Sequence, residues 1–548
     1  LLLVILIPIV VYLLIKYNSQ VKGLYPAYIY SLSLAILFHK SLISMYLTGF
    51  DIHLEYYIAE MTQSASYWDA STALTYNAMI SDTILPAVLS NVIGIDIVWV
   101  YKVIYPVIFA FVPVILYQIY RTFTDQKISL LSAVFFISYS GFYGVLLSII
   151  KQQLAEFFFI LLIFLLFFMG NYPSKRVLVI VFSASLIVSH YGTSYIYLAI
   201  VIGLYLIFKC MRKLNAKSVE NFSGISPIYL LYFMSLIFIW YSYVSRSMTF
   251  NTFVDVSSHI ITNIDEFLNP LARNADVLKI VGFSETLSPL HDLSKYWFQI
   301  TNILIIVGFS LEIKRLKMTK ENLSFVLFGG INILLIFALF AVPFASTLMG
   351  TNRVYQLALL SLSPFCIQGG IFLYNSILNH LNLNLSILKS NDADKKILLL
   401  LIIVPYLLLN TGFIYAVTND AVPTSIALSQ NEMMSSQNIL ALLSLNSEFI
   451  YEQEVSSVRW LSHNRNSNTD IYSDHYSHWY KLPGYGKIFP SKLLSKDVAI
   501  KTDSYIYLNN LNTQHGVLTG EYWPTSSRKV SYTFNFSDLP HTQKNMIF

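Results

Sequence analysis

Four short stretches carry residue types and spacings suited to chemistry. The first is Gly49-Phe50-Asp51-Ile52-His53-Leu54-Glu55-Tyr56-Tyr57. In an extended segment Asp51, His53 and Glu55 share one face. On a helix Asp51 and Glu55 are neighbours one turn apart. Either way two carboxylates and an imidazole crowd together. Such a group serves as a general base or binds a divalent cation such as Mg or Mn. The plainer reading is a solvated helix end. The second stretch, Lys151-Gln152-Gln153-Leu154-Ala155-Glu156, opens a long apolar run. An ionisable Glu156 inside such a run is costly and usually has a job; the alternative is that Lys151 and Glu156 snorkel to water. The third, Ser189-His190-Tyr191-Gly192-Thr193, is a polar break between two apolar runs, where a lone His is more often structural. The fourth is Gly350-Thr351-Asn352-Arg353. A lone Arg among small polar residues can grip two phosphate oxygens through its planar donors, or simply touch lipid headgroups.

These residues need elements to position them, and composition says what those elements are. Hydrophobic residues form 55% of the 548, and charged residues only 12%. Soluble domains carry about 25% charged residues, so this chain has too few to cover a water-facing surface. Its apolar residues fall in long runs, as a bilayer solvent demands. The expected fold class is mainly α: a polytopic membrane protein of about 11–12 spans with a small mixed α/β domain at the C-terminal end. Spans are expected near 1–16, 26–48, 98–120, 128–149, 153–170, 176–190, 193–209, 226–245, 297–312, 323–345, 354–376 and 397–417. Residues 84–97 are too broken to span and read as an interfacial helix. The two cysteines, Cys210 and Cys366, are too far apart in this topology to pair, and no Cys/His zinc spacing occurs.

Lys and Arg set the orientation. Alternate loops hold Lys16 and Lys22, then Arg121 and Lys127, then Lys175 and Arg176, then Lys209, Arg212, Lys213 and Lys217, then Lys314, Arg315, Lys317 and Lys320, then Lys389, Lys395 and Lys396. These loops are expected on the cytoplasmic side. The loops 49–83 and 246–296 and the tail 418–548 then face outward. The chain divides into an extra first span with its loop (1–25), a transmembrane core (26–417) and an extracytoplasmic α/β domain (418–548). The first span runs inward from outside, which suggests a segment upstream of Leu1. In the tail, residues 452–464 have helical spacing, while DIYSD and SYIYLNN read as strands between turn residues. The loop 246–296 is semi-apolar and suits a lid lying along the membrane. One Asn-x-Ser site, Asn535-Phe536-Ser537, lies in the tail.

The layout resembles the C-type glycosyltransferase superfamily: an acidic motif in the first large outer loop, about eleven spans from residue 26, a long mid-chain outer loop and a polar outer tail. GFDIHLEYY, QQLAEFFF and SHYGTSY are similar to a group of archaeal multi-spanning proteins placed near that superfamily. The resemblance implies a cell-envelope enzyme that takes a sugar from a polyprenyl-phosphate donor. It implies a catalytic carboxylate at Asp51 that acts on the acceptor as general base, with Glu55 beside it, and donor-phosphate contacts at Arg353 and Lys151. His53, Glu156, His190 and Tyr191 would line the site or position the acceptor, and Asp51, His53 and Glu55 would hold any metal. The expected partners are membrane lipid, the lipid-linked donor and a glycan, lipid or protein acceptor; nucleic acid is not expected. The Trp-Trp-Asp-x-Gly signature of oligosaccharyltransferases is absent from the tail, so the acceptor stays open. A transporter or lipid flippase, or a non-catalytic subunit of a surface-polymer assembly, shares the many spans. Polar residues converging at one membrane face would favour the enzyme, a central polar path transport, and scattered positions a scaffold.

Overall fold

The computed structural model describes residues 2–16, 22–169, 173–213, 225–274, 277–278, 288–315, 320–380, 393–420, 425–495, 498–525 and 528–535. Ser537 of the Asn-x-Ser site and part of the loop 246–296 lie outside the described residues.

The protein is polytopic and mainly α. Among the described residues seven helices are long and apolar enough to cross a membrane, and an eighth span forms if a bent pair counts as one. The seven include Ile97–Tyr120, Ile150–Phe168, Tyr191–Lys213, Pro289–Arg315 and Thr351–His380. The remaining expected spans coincide with shorter or interrupted helices: Leu2–Lys16, Tyr25–Ser41, Pro173–Ser189, and the broken series from Ala393 to Asn410. Their apolar runs are real, but none is a straight helix of eighteen residues or more. Residues 84–97, expected as an interfacial helix, fall largely in the short helix Ile80–Ile93.

The bent pair positions the site. Gln126–Ile137 and Gly141–Ser148 meet at 53°. The second half runs as a π-turn, Gly141–Val145, then a 3-10 turn, Leu146–Ser148. π-turns inside helices frequently mark functional sites because they shift the side chains that follow. Ile149 then leaves helical geometry (φ −144°, ψ 79°), and a new helix begins at Ile150. Lys151 thus stands in the first turn of a span, at one end of the bundle.

At the same end the chain folds over as the helix Ile52–Ala65, with Asp51 as its first flanking residue. The turn into it needs Gly49, whose φ is +125° and whose N–H donates to the Glu448 carbonyl at 3.0 Å. A side chain on Gly49 would lie 2.2 Å from Ser148 Oγ, so only glycine lets the acidic motif sit against the bend.

The C-terminal region covers this end. The helix expected at 452–464 is present as Glu452–Asn464. Strands β1 (Ile471–Ser473), β2 (Lys492–Leu493) and β3 (Tyr505–Tyr507) form a parallel sheet in the order β2-β1-β3. β4 (Val517–Thr525) and β5 (Arg528–Asn535) form an antiparallel hairpin. The region docks through Tyr485, whose hydroxyl accepts from Leu47 N at 2.9 Å, and through an ion pair of Lys40 with Glu448 at 2.6 Å. One apolar cluster runs through both parts and includes Ile52, Tyr101, Ile150, Val455 and Tyr485. Cys210 and Cys366 are both free.

Candidate active site

Lys151 is the centre. Its ammonium lies 2.9 Å from Asp51 Oδ2 and 2.8 Å from Glu55 Oε1, and sits 4.0 Å from the centroid of the Tyr76 ring. Asp51 and Glu55 are neighbours across one helical turn, so both reach the same cation. Glu55 also accepts the Ile150 N–H through Oε2 at 2.9 Å. It therefore caps the helix that carries Lys151, where a carboxylate meets the positive end of the helix dipole. Glu55 is fully buried, while Asp51 keeps a third (33%) of its side chain open.

Two more groups act on Asp51 from other helices. Arg353, near the start of Thr351–His380, interacts electrostatically with both Asp51 and His190. His190 feels Lys151 and Asp51 as well. Its Nδ1 accepts the Thr193 N–H at 3.2 Å and lies 2.8 Å from the Thr193 hydroxyl, which leaves Nε2 to carry the proton. Tyr191 packs beside the His190 ring, with centroids 5.2 Å apart, and reaches Tyr76 electrostatically. Among the described residues the Arg353 guanidinium joins no ion pair or hydrogen bond, and it acts on Asp51 and His190 through its charge alone. Its room comes from Gly350: a side chain there would meet Arg353 Nε at 2.7 Å, and the φ of +72° favours glycine as well.

The carboxyls are split by their surroundings. Burial opposes the charge on Asp51, but Lys151 and Arg353 outweigh it and hold the carboxyl below the usual aspartate range. Glu55 goes the other way: burial raises it against the pull of Lys151, and the charge on Asp51 adds to the rise. Asp82, fully buried, is pushed well above the ordinary range by burial first and the nearby Glu55 second. Acidic groups driven apart in this way are what acid–base chemistry uses.

Of the residues the sequence singled out, Asp51, Glu55, Lys151, His190, Tyr191 and Arg353 come together. Glu156 lies further along its span, fully buried, where Gln356 Nε2 donates to its Oε1 at 3.3 Å. Gln356 stands one turn beyond Arg353, so the Glu156–Gln356 pair lies along the same two helices as Lys151 and Arg353. His53 does not join the group. On a helix it points away from Asp51 and Glu55, and it packs against Tyr480 and Tyr485 of the C-terminal region, ring centroids 5.6 and 6.1 Å away. The extended alternative, with all three on one face, is thereby excluded. Lys151 also departs from expectation, because its ammonium is engaged by two carboxylates rather than turned toward an incoming phosphate. Nor does the donor set fit a divalent cation: Asp51 and Glu55 already flank an ammonium, and His53 faces elsewhere. Among the described residues no three His, Cys, Asp or Glu side chains group as metal ligands. Sequence reasoning missed Tyr76 and Asp82. Asp82 had a signal, a lone acid at the edge of an apolar segment; Tyr76, one of 39 tyrosines, had none.

His53 gives a pH prediction of its own. Burial drops its imidazole to about 3, against about 6.5 in an unfolded chain. The folded state therefore binds fewer protons than the unfolded state between these values. Stability from this group is complete above pH 6.5 and is lost as pH falls toward 3. From pH 7 to pH 5 it should cost about 2 kcal/mol. A His53→Phe variant should show a correspondingly shallower fall in melting temperature over that interval, and an unchanged slope would rule the effect out.

Fold and site together define a class: a multi-pass membrane protein with a buried acid–base cluster at one end of its helical bundle. The chain belongs to the family described as "Predicted membrane protein (DUF2206)", whose model matches residues 175–548. No curated protein matches it. Among solved structures it is similar to oligosaccharyltransferase AglB from Archaeoglobus fulgidus, in complex with an inhibitory peptide and a dolichol-phosphate. That match has 12% identity, covers 86% of this chain and 65% of the other, and has a TM-score of 0.46. This chain thus spans just under two thirds of that protein's length. ArnT from Cupriavidus metallidurans bound to undecaprenyl phosphate matches at 11% identity over 86% of each chain, with a TM-score of 0.46. Arabinofuranosyltransferase AftD from Mycobacteria matches at 12% identity over 86% of this chain and 32% of its own, with a TM-score of 0.42. No residue role follows from these likenesses.

Proposed function

We propose that this chain is an integral membrane glycosyltransferase, moving a sugar from a polyprenyl-phosphate donor to an acceptor at the outer face of the cell membrane, with its C-terminal region extracytoplasmic. The observation that carries the reading is the cluster at one end of the spans in which Lys151 binds both Asp51 and the buried Glu55, with Arg353 within electrostatic reach of Asp51. A carboxylate with an open edge, within electrostatic reach of a guanidinium, matches a displacement that needs a base on one side and an anion grip on the other. Nucleotide sugars are made in the cytoplasm, so a transferase acting outside needs a donor that crosses the membrane. A polyprenyl phosphate does so, with its tail in lipid and its phosphate at the interface.

The reaction is a single displacement with inversion. The acceptor oxygen bonds to the anomeric carbon as the bond from that carbon to the phosphate oxygen breaks. The phosphate leaves with the bonding electrons, and the acceptor proton passes to Asp51. Arg353 takes up the charge growing on the phosphate. Lys151 holds Asp51 in place, and His190 and Tyr191 flank the acceptor.

The test is turnover of purified protein with defined polyprenyl-phosphate sugars, with and without a chelator to read metal dependence directly. Arg353→Lys keeps the charge but loses the planar fork. It should lower kcat/KM about tenfold, the share of one charge-assisted hydrogen bond. Unaltered turnover in that variant would remove Arg353 from the donor site.

A further inference from the structure

Where the C-terminal region meets the acidic motif there is a cavity of about 570 Å³, within the range of small-molecule sites. Its walls include Phe50, His475, Tyr476, Tyr480, Thr519 and Tyr532. Three features of this lining matter. First, it is aromatic. Tyr476 and Tyr480 lie nearly parallel, with centroids 6.1 Å apart and planes 19° apart, and Tyr480 meets Phe50 at 6.3 Å. Second, it is polar without charge: among the described residues it has hydroxyls and an imidazole, but no carboxylate, ammonium or guanidinium. Third, it is built on a fixed base. Asp474 is fully buried and accepts from Ser477 N at 3.0 Å, Asn509 Nδ2 at 2.9 Å, Asn512 Nδ2 at 3.2 Å and Thr519 Oγ1 at 2.7 Å. Those bonds hold the turn that carries His475 and Tyr476. They also commit the Thr519 proton to Asp474, so the Thr519 oxygen faces a ligand as an acceptor.

We propose that this cavity binds a neutral saccharide, the acceptor glycan of the proposed transferase. A pyranose offers one face of C–H bonds, slightly positive, and an edge of hydroxyls. The C–H face lies against the negative face of a tyrosine ring, and the hydroxyls pair with threonine, tyrosine and histidine. A phosphate or an acidic peptide finds no counter-charge among the described residues here. Phe50, the residue before Asp51 in the chain, forms part of the wall, so the cavity adjoins the acidic motif. The role as acceptor rests on the transferase reading; the binding itself does not.

Binding is therefore measured without donor. Fluorophore-labelled neutral trisaccharides of the gluco-, manno- and galacto- series are titrated against full-length protein in nanodiscs, followed by anisotropy. At least one should bind. Tyr480→Ala should weaken it about tenfold, as loss of an aromatic face does, and Tyr480→Phe should retain it. Tyr532→Ala, on the hairpin wall, should weaken it independently, with the melting temperature of each variant checking the fold. The cavity assignment fails if no trisaccharide binds, if both alanine variants bind like the wild type, or if an acidic peptide competes. Turnover with lipid-linked donor is read separately. Lost glycan binding with donor turnover intact overturns this proposal alone; glycan binding with no donor turnover overturns the transferase reading alone.

Discussion

Lys151→Met should destabilise the protein by about 3–5 kcal/mol at neutral pH, the usual cost of removing one partner from a buried ion pair. Lys151 has 4% of its side chain exposed and Glu55 none. Methionine fills much of the same volume, so the loss is electrostatic rather than a cavity. Asp51 can turn its open edge to water, but Glu55 cannot. Without the ammonium Glu55 must take a proton to stay folded. That carries a pH signature. A carboxyl whose folded value is raised above its unfolded value loses stability as pH rises above the unfolded value, near 4.3. The deficit in melting temperature against wild type should be large at pH 7.5 and much smaller at pH 5. Adding Glu55→Gln to Lys151→Met should recover part of the loss at pH 7.5, because the uncompensated charge is gone. A variant that melts like wild type at pH 7.5, or a deficit that ignores pH, would contradict this account of the pair.

The same cluster shows what sequence could and could not say. The apolar runs marked the membrane class plainly, since a bilayer imposes length and composition on any span. They did not mark breaks, because a π-turn such as Phe164–Phe168 or Leu399–Ile403 has the same composition as the helix it interrupts. Helix Glu452–Asn464 and strands Ile471–Ser473 and Tyr505–Tyr507 fall where periodicity and turn residues placed them. In the acidic motif the two periods competed. Alternation put His53 with Asp51 and Glu55; the helical period put it on the opposite side, and the helix prevailed. That outcome depends on Gly49 and the bend at 138–149, which no local pattern announces. The pairing of Lys151 with Glu55 joins positions nearly a hundred residues apart and was legible only as two suspicious residues. Tyr76 and Asp82 gain their roles from what surrounds them, and surroundings of that kind are a property of the fold.

Asp51→Asn separates chemistry from architecture more sharply than any other single change. Asparagine keeps the shape, and Lys151 still has Glu55 at 2.8 Å, so the fold should hold and the melting temperature should fall little. The amide cannot take the acceptor proton. Turnover should therefore drop by about 10²–10⁴-fold, the range that a positioned general base contributes. Donor binding should move the other way. Asp51 offsets Arg353 in the wild type, so its loss leaves the guanidinium with less competing negative charge. A polyprenyl phosphate without sugar should bind the variant at least as tightly as the wild type. The two readouts together are diagnostic, since a merely structural aspartate would lose binding and turnover in parallel. Full turnover in Asp51→Asn would assign the base elsewhere. The fully buried Asp82 is a poorer substitute, because burial and the nearby Glu55 favour its protonated form, and a carboxyl that already holds a proton cannot accept one from an incoming hydroxyl.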